Sequence, residues 1–376
     1  MEPLLEARPR ADDSAASNEP AFVGPPADAR RAAAARLPVN RALTVEEITS
    51  SDALEALREQ WAALWREDDE ATPFQSPEWM LAWWRHLAGQ GLWTLAVRRA
   101  GELVGLAPLF VWTNPGTGER QVTLLGTGVT DHLALVTRPD VRSEVAAAVL
   151  AHLADHADRW DIALLQDLSP DSPLVTTPAP NGIASTVDNP EVCPTLAVPE
   201  DADGLRGVVS SSRLKRLRYC RRRAERMGDV VFERADGESI DRCFDALLRL
   251  HGLRWAERGE PGVLDDPRVE AFHREVCRGF AALGTLRLYV LSVGGRQAAA
   301  FYGFQHRGRL FYYLGGFDPA MGDVEPGTLV IAHAVEQAVR EGVREVDFLR
   351  GREPYKYAWG AADRAKARRT LRPTQR

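Results

Sequence analysis

Residues Leu310–Gly360, LFYYLGGFDPAMGDVEPGTLVIAHAVEQAVREGVREVDFLRGREPYKYAWG, decide the fold. The apolar and aromatic run Leu310–Phe317 predicts a strand, broken near its end by Gly315-Gly316. Asp318–Pro326 predicts a loop of Gly, Pro and acids. Gly327–Glu341, closed by Gly342, has the spacing of an amphipathic helix. Val343–Leu349 predicts a second strand, which delivers Arg350–Tyr357. A loop crowded with cations and phenols directly after a core strand is where chemistry sits in an open α/β sheet.

Outward from that stretch, 376 residues exceed one typical core and fit two domains. The net charge of −6 argues against a general polyanion binder such as a DNA-binding protein, while permitting a local basic patch. Four cysteines form no C-x-x-C pair, so reduced thiols in a cytoplasmic protein are expected. Residues 1–40 are rich in Ala, Pro, Asp and Arg, lack the apolar core of a signal peptide, and predict a disordered tail. No apolar run reaches the roughly 20 residues that span a bilayer, so no integral membrane segment is expected.

Order is expected from about Leu43. Ser51–Arg66 has helical spacing, with Leu54, Leu57, Trp61 and Leu64 on one stripe. Ser76-Pro77-Glu78 predicts a helix start that leads through Trp79 and Trp84 to a stop at Gly89. Strands follow at Trp93–Arg99, Leu103–Trp112, Gln121–Leu125 and Leu133–Val136, then a helix at Val141–His156 and a strand at Asp161–Asp167. Ser169–Pro199 predicts a connecting segment with at most short edge strands. Helices are expected at Asp203–Met227, Cys243–Glu257 and Pro267–Leu283, and a three-strand meander at Leu286–Val293, Gln297–Gln305 and Leu310–Phe317. The two halves repeat one order of elements. The expected boundaries are 41–199 for a first domain with its connecting segment and 200–376 for a second.

The run Asp347–Gly360, with Gly315-Gly316-Phe317-Asp318-Pro319 and Pro326-Gly327 before it, resembles the closing motif of the CelD/BcsL branch of the GNAT acetyltransferases, a branch associated with cellulose biosynthesis. The resemblance implies a mixed α/β fold of two tandem GNAT-like acyl-CoA N-acyltransferase domains. It implies acetyl-CoA or another acyl-CoA as co-substrate, held against the meander's last strand and the next helix, with no metal. Backbone N–H groups of Leu314, Gly315, Gly316 and Phe317, facing Asp347–Leu349, would hold the acyl carbonyl. The helix start at Pro326, Gly327 and Thr328 would meet the pyrophosphate. The usual phosphate-loop pattern is replaced here by Gly322-Asp323-Val324-Glu325-Pro326-Gly327.

Catalytic candidates are Tyr355, Lys356 and Asp347: a phenol can return a proton to a thiolate, a Lys can bind phosphate or carboxylate, and a buried Asp needs a partner such as Arg350 or Lys356. Acceptor-binding candidates are Asp131, His132, His251, Arg254, Trp255 and Arg350. His251 alternatively belongs to the apolar stripe of its helix. The basic face Arg213–Arg226 is either solvated or a site for a CoA phosphate, an anionic glycan or tRNA phosphates. Three functions follow. The first is acyl transfer from acyl-CoA to an amine or hydroxyl of a small molecule, sugar or envelope precursor. The second is a FemAB-like transferase using aminoacyl-tRNA. The third is a non-catalytic module in polysaccharide biosynthesis.

Overall fold

The computed structural model describes residues 42–374 other than 89, 201, 258 and 260. The expected tail and the helix stop at Gly89 lie outside the described residues. The first half runs β1 (Leu43–Ile48), α1 (Ser51–Ala56), α2 (Arg58–Glu67), α3 (Pro77–Leu87), β2 (Thr94–Arg99), β3 (Glu102–Ala107), β4 (Leu109–Thr113), β5 (Arg120–Leu124), β6 (Val136–Thr137), α4 (Arg142–Asp155), β7 (Ile162–Leu168), α5 (Pro173–Thr176) and β8 (Ile183–Ala197). The second runs α6 (Ser211–Glu225), β9 (Val230–Arg234), α7 (Ile240–Ala256), α8 (Pro267–Ala282), β10 (Leu286–Val293), β11 (Arg296–His306), β12 (Arg309–Phe317), α9 (Pro326–Arg340), β13 (Glu345–Asp347), α10 (Pro354–Ala358) and β14 (Ala362–Pro373). Among the described residues no helix is long and apolar enough to cross a membrane.

Local chemistry sets several boundaries. Ser76 Oγ accepts from Trp79 N at 3.3 Å, with Pro77 at the first position of α3. Asp266 does the same for α8, accepting from Arg268 N at 2.9 Å ahead of Pro267. The expected single strand Leu103–Trp112 is two. Pro108, which has no N–H to give a ladder, separates β3 from β4, and the two enter different sheets. The expected strand Leu133–Val136 shrinks to Val136–Thr137.

A small sheet has the order β1-β2-β3-β6, and a ten-stranded sheet the order β4-β5-β7-β14-β8-β13-β12-β11-β10-β9. The segment expected to be a connector holds β8, a 15-residue strand in the middle of the large sheet. It pairs antiparallel with β14 from Ile183–Pro373 to Thr195–Ala362. Its Pro190 sits where the register shifts between Lys366 and Arg368, so the missing donor falls at a bulge. Because β14 also pairs with β7, the last strand joins the two halves through the sheet.

Alternation along the strands sorts the core onto two faces. Leu288, Val290, Tyr302, Phe304 and Phe311 pack with α7, α8 and the first half's tryptophans. Tyr289, Leu291, Phe301, Tyr312, Val346 and Phe348 pack with α6 and α9. The α1–α2 stripe Leu54, Leu57, Trp61 and Leu64 is buried.

Candidate active site

β12 and β13 run parallel, but their pairing covers only Arg309–Glu345, Leu310–Val346 and Phe311–Asp347. β12 continues to Phe317 without β13 beside it, so the sheet opens between them. The register of β12 on β11 shifts here as well: Tyr302 faces Leu314 and Gly303 faces Tyr312, which leaves Tyr313 as the extra residue of a bulge. Leu314–Phe317 therefore form one edge of an opening beside the start of α9, where Gly327 packs on the Phe317 ring.

Helix α7 covers this edge. Arg254 Nη1 donates to Gly315 O at 3.3 Å, and its guanidinium lies 5.7 Å from the Phe317 ring centroid. Its buried Nε has no partner among the described atoms. His251 Nε2 accepts from Trp255 Nε1 at 2.9 Å, so the ring proton resides on Nδ1. Burial, reinforced by Arg254, brings the His251 pKa down to about 4. The imidazole is thus neutral and its acceptor nitrogen is taken, which makes it a positioning group for Trp255 rather than a free base. The two glycines serve packing. A Cβ on Gly316 would lie 2.3 Å from the His251 backbone N, and one on Gly315 would lie 2.2 Å from the Tyr312 hydroxyl.

The acidic loop before α9 does not stand alone. Arg216 Nε donates to Glu325 at 2.9 Å, and Arg223 Nη2 to Asp323 at 2.5 Å. Both arginines belong to α6, so part of the basic face neutralises the carboxylates next to the helix start. Arg218, Arg221 and Arg222 remain exposed to solvent.

The loop after β13 turns at Leu349, whose φ is +59°. Lys356 was expected to face a ligand. Its Nζ instead donates to Leu349 O at 3.0 Å, Arg350 O at 2.7 Å and Gly351 O at 3.2 Å, and pairs with Glu353 at 2.9 Å. All of its donors hold the turn together. Tyr355 packs edge-on against Tyr312 and Phe348, and burial raises its pKa. Tyr357 donates to Asp363 at 2.7 Å.

The remaining candidates form a second cluster where the halves meet. Asp347 is fully buried, and its partner is neither Arg350 nor Lys356. Oδ1 accepts from Leu349 N at 2.8 Å, and Oδ2 lies 3.0 Å from His132 Nε2, whose N–H is not aimed along that line. His132 Nδ1 lies 3.1 Å from Lys366 Nζ. Burial and Lys366 lower the His132 pKa. Burial opposes ionisation of Asp347, yet His132 and the Leu349 N–H hold its carboxyl below the ordinary range. Arg350 is committed too. Its guanidinium contacts Asp131 at 3.1 Å and Asp167 at 3.5 Å, and its N–H donates to Asp131 at 3.2 Å. Asp167 and Lys366 are site members that sequence reasoning missed. A non-Gly residue at φ +57°, as Asp167 is, leaves no mark in sequence.

The loop that carries Asp131 and His132 is pinned from both halves. Tyr313 donates to Val129 O at 2.7 Å, Trp79 to Thr130 Oγ1 at 2.8 Å, and Gln75 to His132 O at 2.5 Å. The site residues thus fall into two groups: an opening at Leu314–Phe317 with α7 and α9, and a buried charged cluster behind it.

Buried neutral histidines give a pH dependence. Burial brings His273 down to about 3, and His251 sits at about 4 against 6.5 in the unfolded chain. Between those values the unfolded state binds more protons, so stability is complete above about pH 6.5 and falls as the solution is acidified. Asp167, raised by burial from 3.8 to about 6, acts in the opposite sense, losing stability as pH rises through that interval. Each group contributes at most about 1.4 kcal/mol per pH unit, and the two histidines outweigh the one carboxyl. The urea midpoint is expected to drop between pH 7 and pH 4.5; a flat or rising midpoint would contradict these assignments.

Residues 211–357 match the family model described as Acetyltransferase (GNAT) domain. Among solved structures, the chain is similar to FemX, at 13% identity and TM-score 0.62, covering 87% of this chain and 96% of that one. It is also similar to a conserved protein of unknown function from Bacteroides thetaiotaomicron VPI-5482, at 14% identity and TM-score 0.54, covering 88% and 100%. A third is the C-terminal domain of a putative lysylphosphatidylglycerol synthetase from Agrobacterium fabrum, at 10% identity and TM-score 0.54, covering 84% and 92%. No curated protein matches the sequence. At these identities the likeness is one of fold, and the fold is the expected mixed α/β, GNAT-type one.

Proposed function

We propose that the chain is a GNAT-type acyltransferase of the CelD/BcsL kind, acting in the cytoplasm. It moves an acetyl or related acyl group from acyl-CoA to an amine or hydroxyl of a small-molecule, sugar or envelope-precursor acceptor. Residues 41–199 and 200–376 serve as tandem GNAT-like units that share one sheet, the second carrying the donor site. The observation that carries this is the opening between β12 and β13 next to the start of α9. Unpaired strand amides there suit a developing oxyanion, and the first turn of a helix suits a phosphate. The pairing of Asp323 and Glu325 with α6 removes the repulsion that two bare carboxylates would exert on a pyrophosphate.

Attack is direct within a ternary complex. The acceptor amine or hydroxyl bonds to the carbonyl carbon, the thiolate leaves, and the acceptor's proton is released. Tyr355 is the candidate donor to the thiolate, and burial, by raising its pKa, makes it a weaker acid than a free phenol. Titration calorimetry with acetyl-CoA is expected to show binding in the micromolar range. Absence of heat at high micromolar concentrations would remove this reading. Binding of tRNA with a steep salt dependence would then favour an aminoacyl-tRNA donor, for which the exposed Arg218, Arg221 and Arg222 supply phosphate contacts.

A further inference from the structure

Of the chain's 47 basic residues only Lys215, Lys356 and Lys366 are lysines. Lys215 is exposed on α6, and Lys356 is committed to its carbonyl cage. Lys366, on β14, is 4% exposed. In a chain that writes nearly every cation as arginine, a buried lysine supplies something a guanidinium cannot: an amine able to lose its proton.

The surroundings of Lys366 are those of an activated nucleophile. Its Nζ meets His132 Nδ1 at 3.1 Å, and the other ring nitrogen meets Asp347 at 3.0 Å. With Nδ1 as acceptor, the ring proton is on Nε2, 3.0 Å from the carboxylate oxygen though not aimed straight at it. Nucleophile, base and orienting acid thus stand in sequence. Lys366 and His132 both line an open cavity of about 310 Å³, within the range of small-ligand sites. Arg309 and Arg364 line it too. Both guanidiniums share the single carboxylate of Glu345, which leaves a surplus positive charge beside Lys366, while Asp68, Asp69 and Glu70, which share Arg142, line another part of the same cavity.

We propose that Lys366 is a nucleophilic amine that captures small carbonyl compounds bearing an anionic group, such as aldehyde acids and 2-oxo acids, as an imine in this cavity. The neutral amine adds to the carbonyl carbon. His132 accepts a proton from the nitrogen and returns it to the departing hydroxyl, and one water leaves as the C=N bond forms. Asp347 holds the ring in its working tautomer. The anionic group pairs with Arg309 and Arg364. Burial lowers the Lys366 pKa and so favours the free amine.

The test needs no acyl donor, so its failure is distinct from failure of the acyltransferase reading. The full chain is incubated with glyoxylate and cyanoborohydride near pH 7, digested, and its three lysines mapped by mass spectrometry. The carboxymethyl adduct is expected on Lys366 ahead of exposed Lys215, and faster than the ethyl adduct from acetaldehyde. In His132→Ala, labelling of Lys366 should slow on the order of 100-fold with Lys215 unchanged. Labelling of Lys215 ahead of Lys366 in the wild type overturns the proposal, as does undiminished Lys366 labelling in folded His132→Ala. Equal rates with glyoxylate and acetaldehyde overturn the anionic class. The wild-type comparison stands whether or not the variant folds.

Discussion

Gly316→Val should yield no folded protein, and Gly316→Ala should lose roughly 3 kcal/mol or more of stability. A Cβ at this position would sit 2.3 Å from the His251 N, 2.4 Å from the Leu250 carbonyl carbon and 2.7 Å from the His251 Cα. All three are backbone atoms of α7, so no side-chain rotation relieves the clash. Relief requires the helix to lift from β12, and lifting it breaks the contact between Arg254 and Gly315 O. Loss of packing and loss of site geometry therefore arrive together. Urea unfolding of Gly316→Ala checks this; a midpoint equal to wild type would show that α7 does not pack on β12 as described.

The second large effect is expected at Asp347. Asp347→Ala removes the carboxylate from a fully buried position and leaves the His132 ring, the Leu349 N–H and the Lys366 amine without it. Stripping the buried Leu349 N–H of its acceptor costs about 1–3 kcal/mol, and the cavity left by the carboxyl adds to it. Asp347→Asn keeps the shape and still accepts from Leu349 N, so it should lose clearly less. If the two variants unfold at the same denaturant concentration, the loss they share, that of the charge, accounts for the whole effect, and the hydrogen bond from Leu349 N does not hold this cluster.

The comparison of these two residues shows what was legible in the sequence. The strand, loop, helix and strand from Leu310 to Leu349 follow from apolar spacing and Gly/Pro punctuation, and the structure has them. The need of Asp347 for a partner also follows from burial. Which partner it takes does not, because His132 lies in the other half of the chain and only the folded contact between halves brings it there. Local proximity favoured Arg350 and Lys356, but Arg350 is drawn to Asp131 and Asp167, and Lys356 to three carbonyls of its own turn. Ser169–Pro199 reads as a connector in sequence for a different reason. Most of β8 from Ala184 to Glu191 is exposed, so burial leaves no alternating pattern in its residues. It is a strand because β14 pairs with it, and residues 362–373 carry too many arginines to announce themselves. Gly315-Gly316 signalled close approach correctly, but what approaches Gly316 is a helix backbone.

The position of β14 between β7 and β8 also bears on how the molecule is made. During synthesis β7 and β8 emerge together, nearly 180 residues before the strand that must lie between them. Until residues through Pro373 leave the ribosome, two strand edges that end up in the middle of the sheet stay open to solvent and to other chains. Folding then has to close one of the longest loops the chain offers, which is slow by nature. A nascent chain of this protein would therefore depend on protection of those edges while the residues from Ala197 to Pro373 are made, and loss of β14 would cost the sheet its middle rather than its margin.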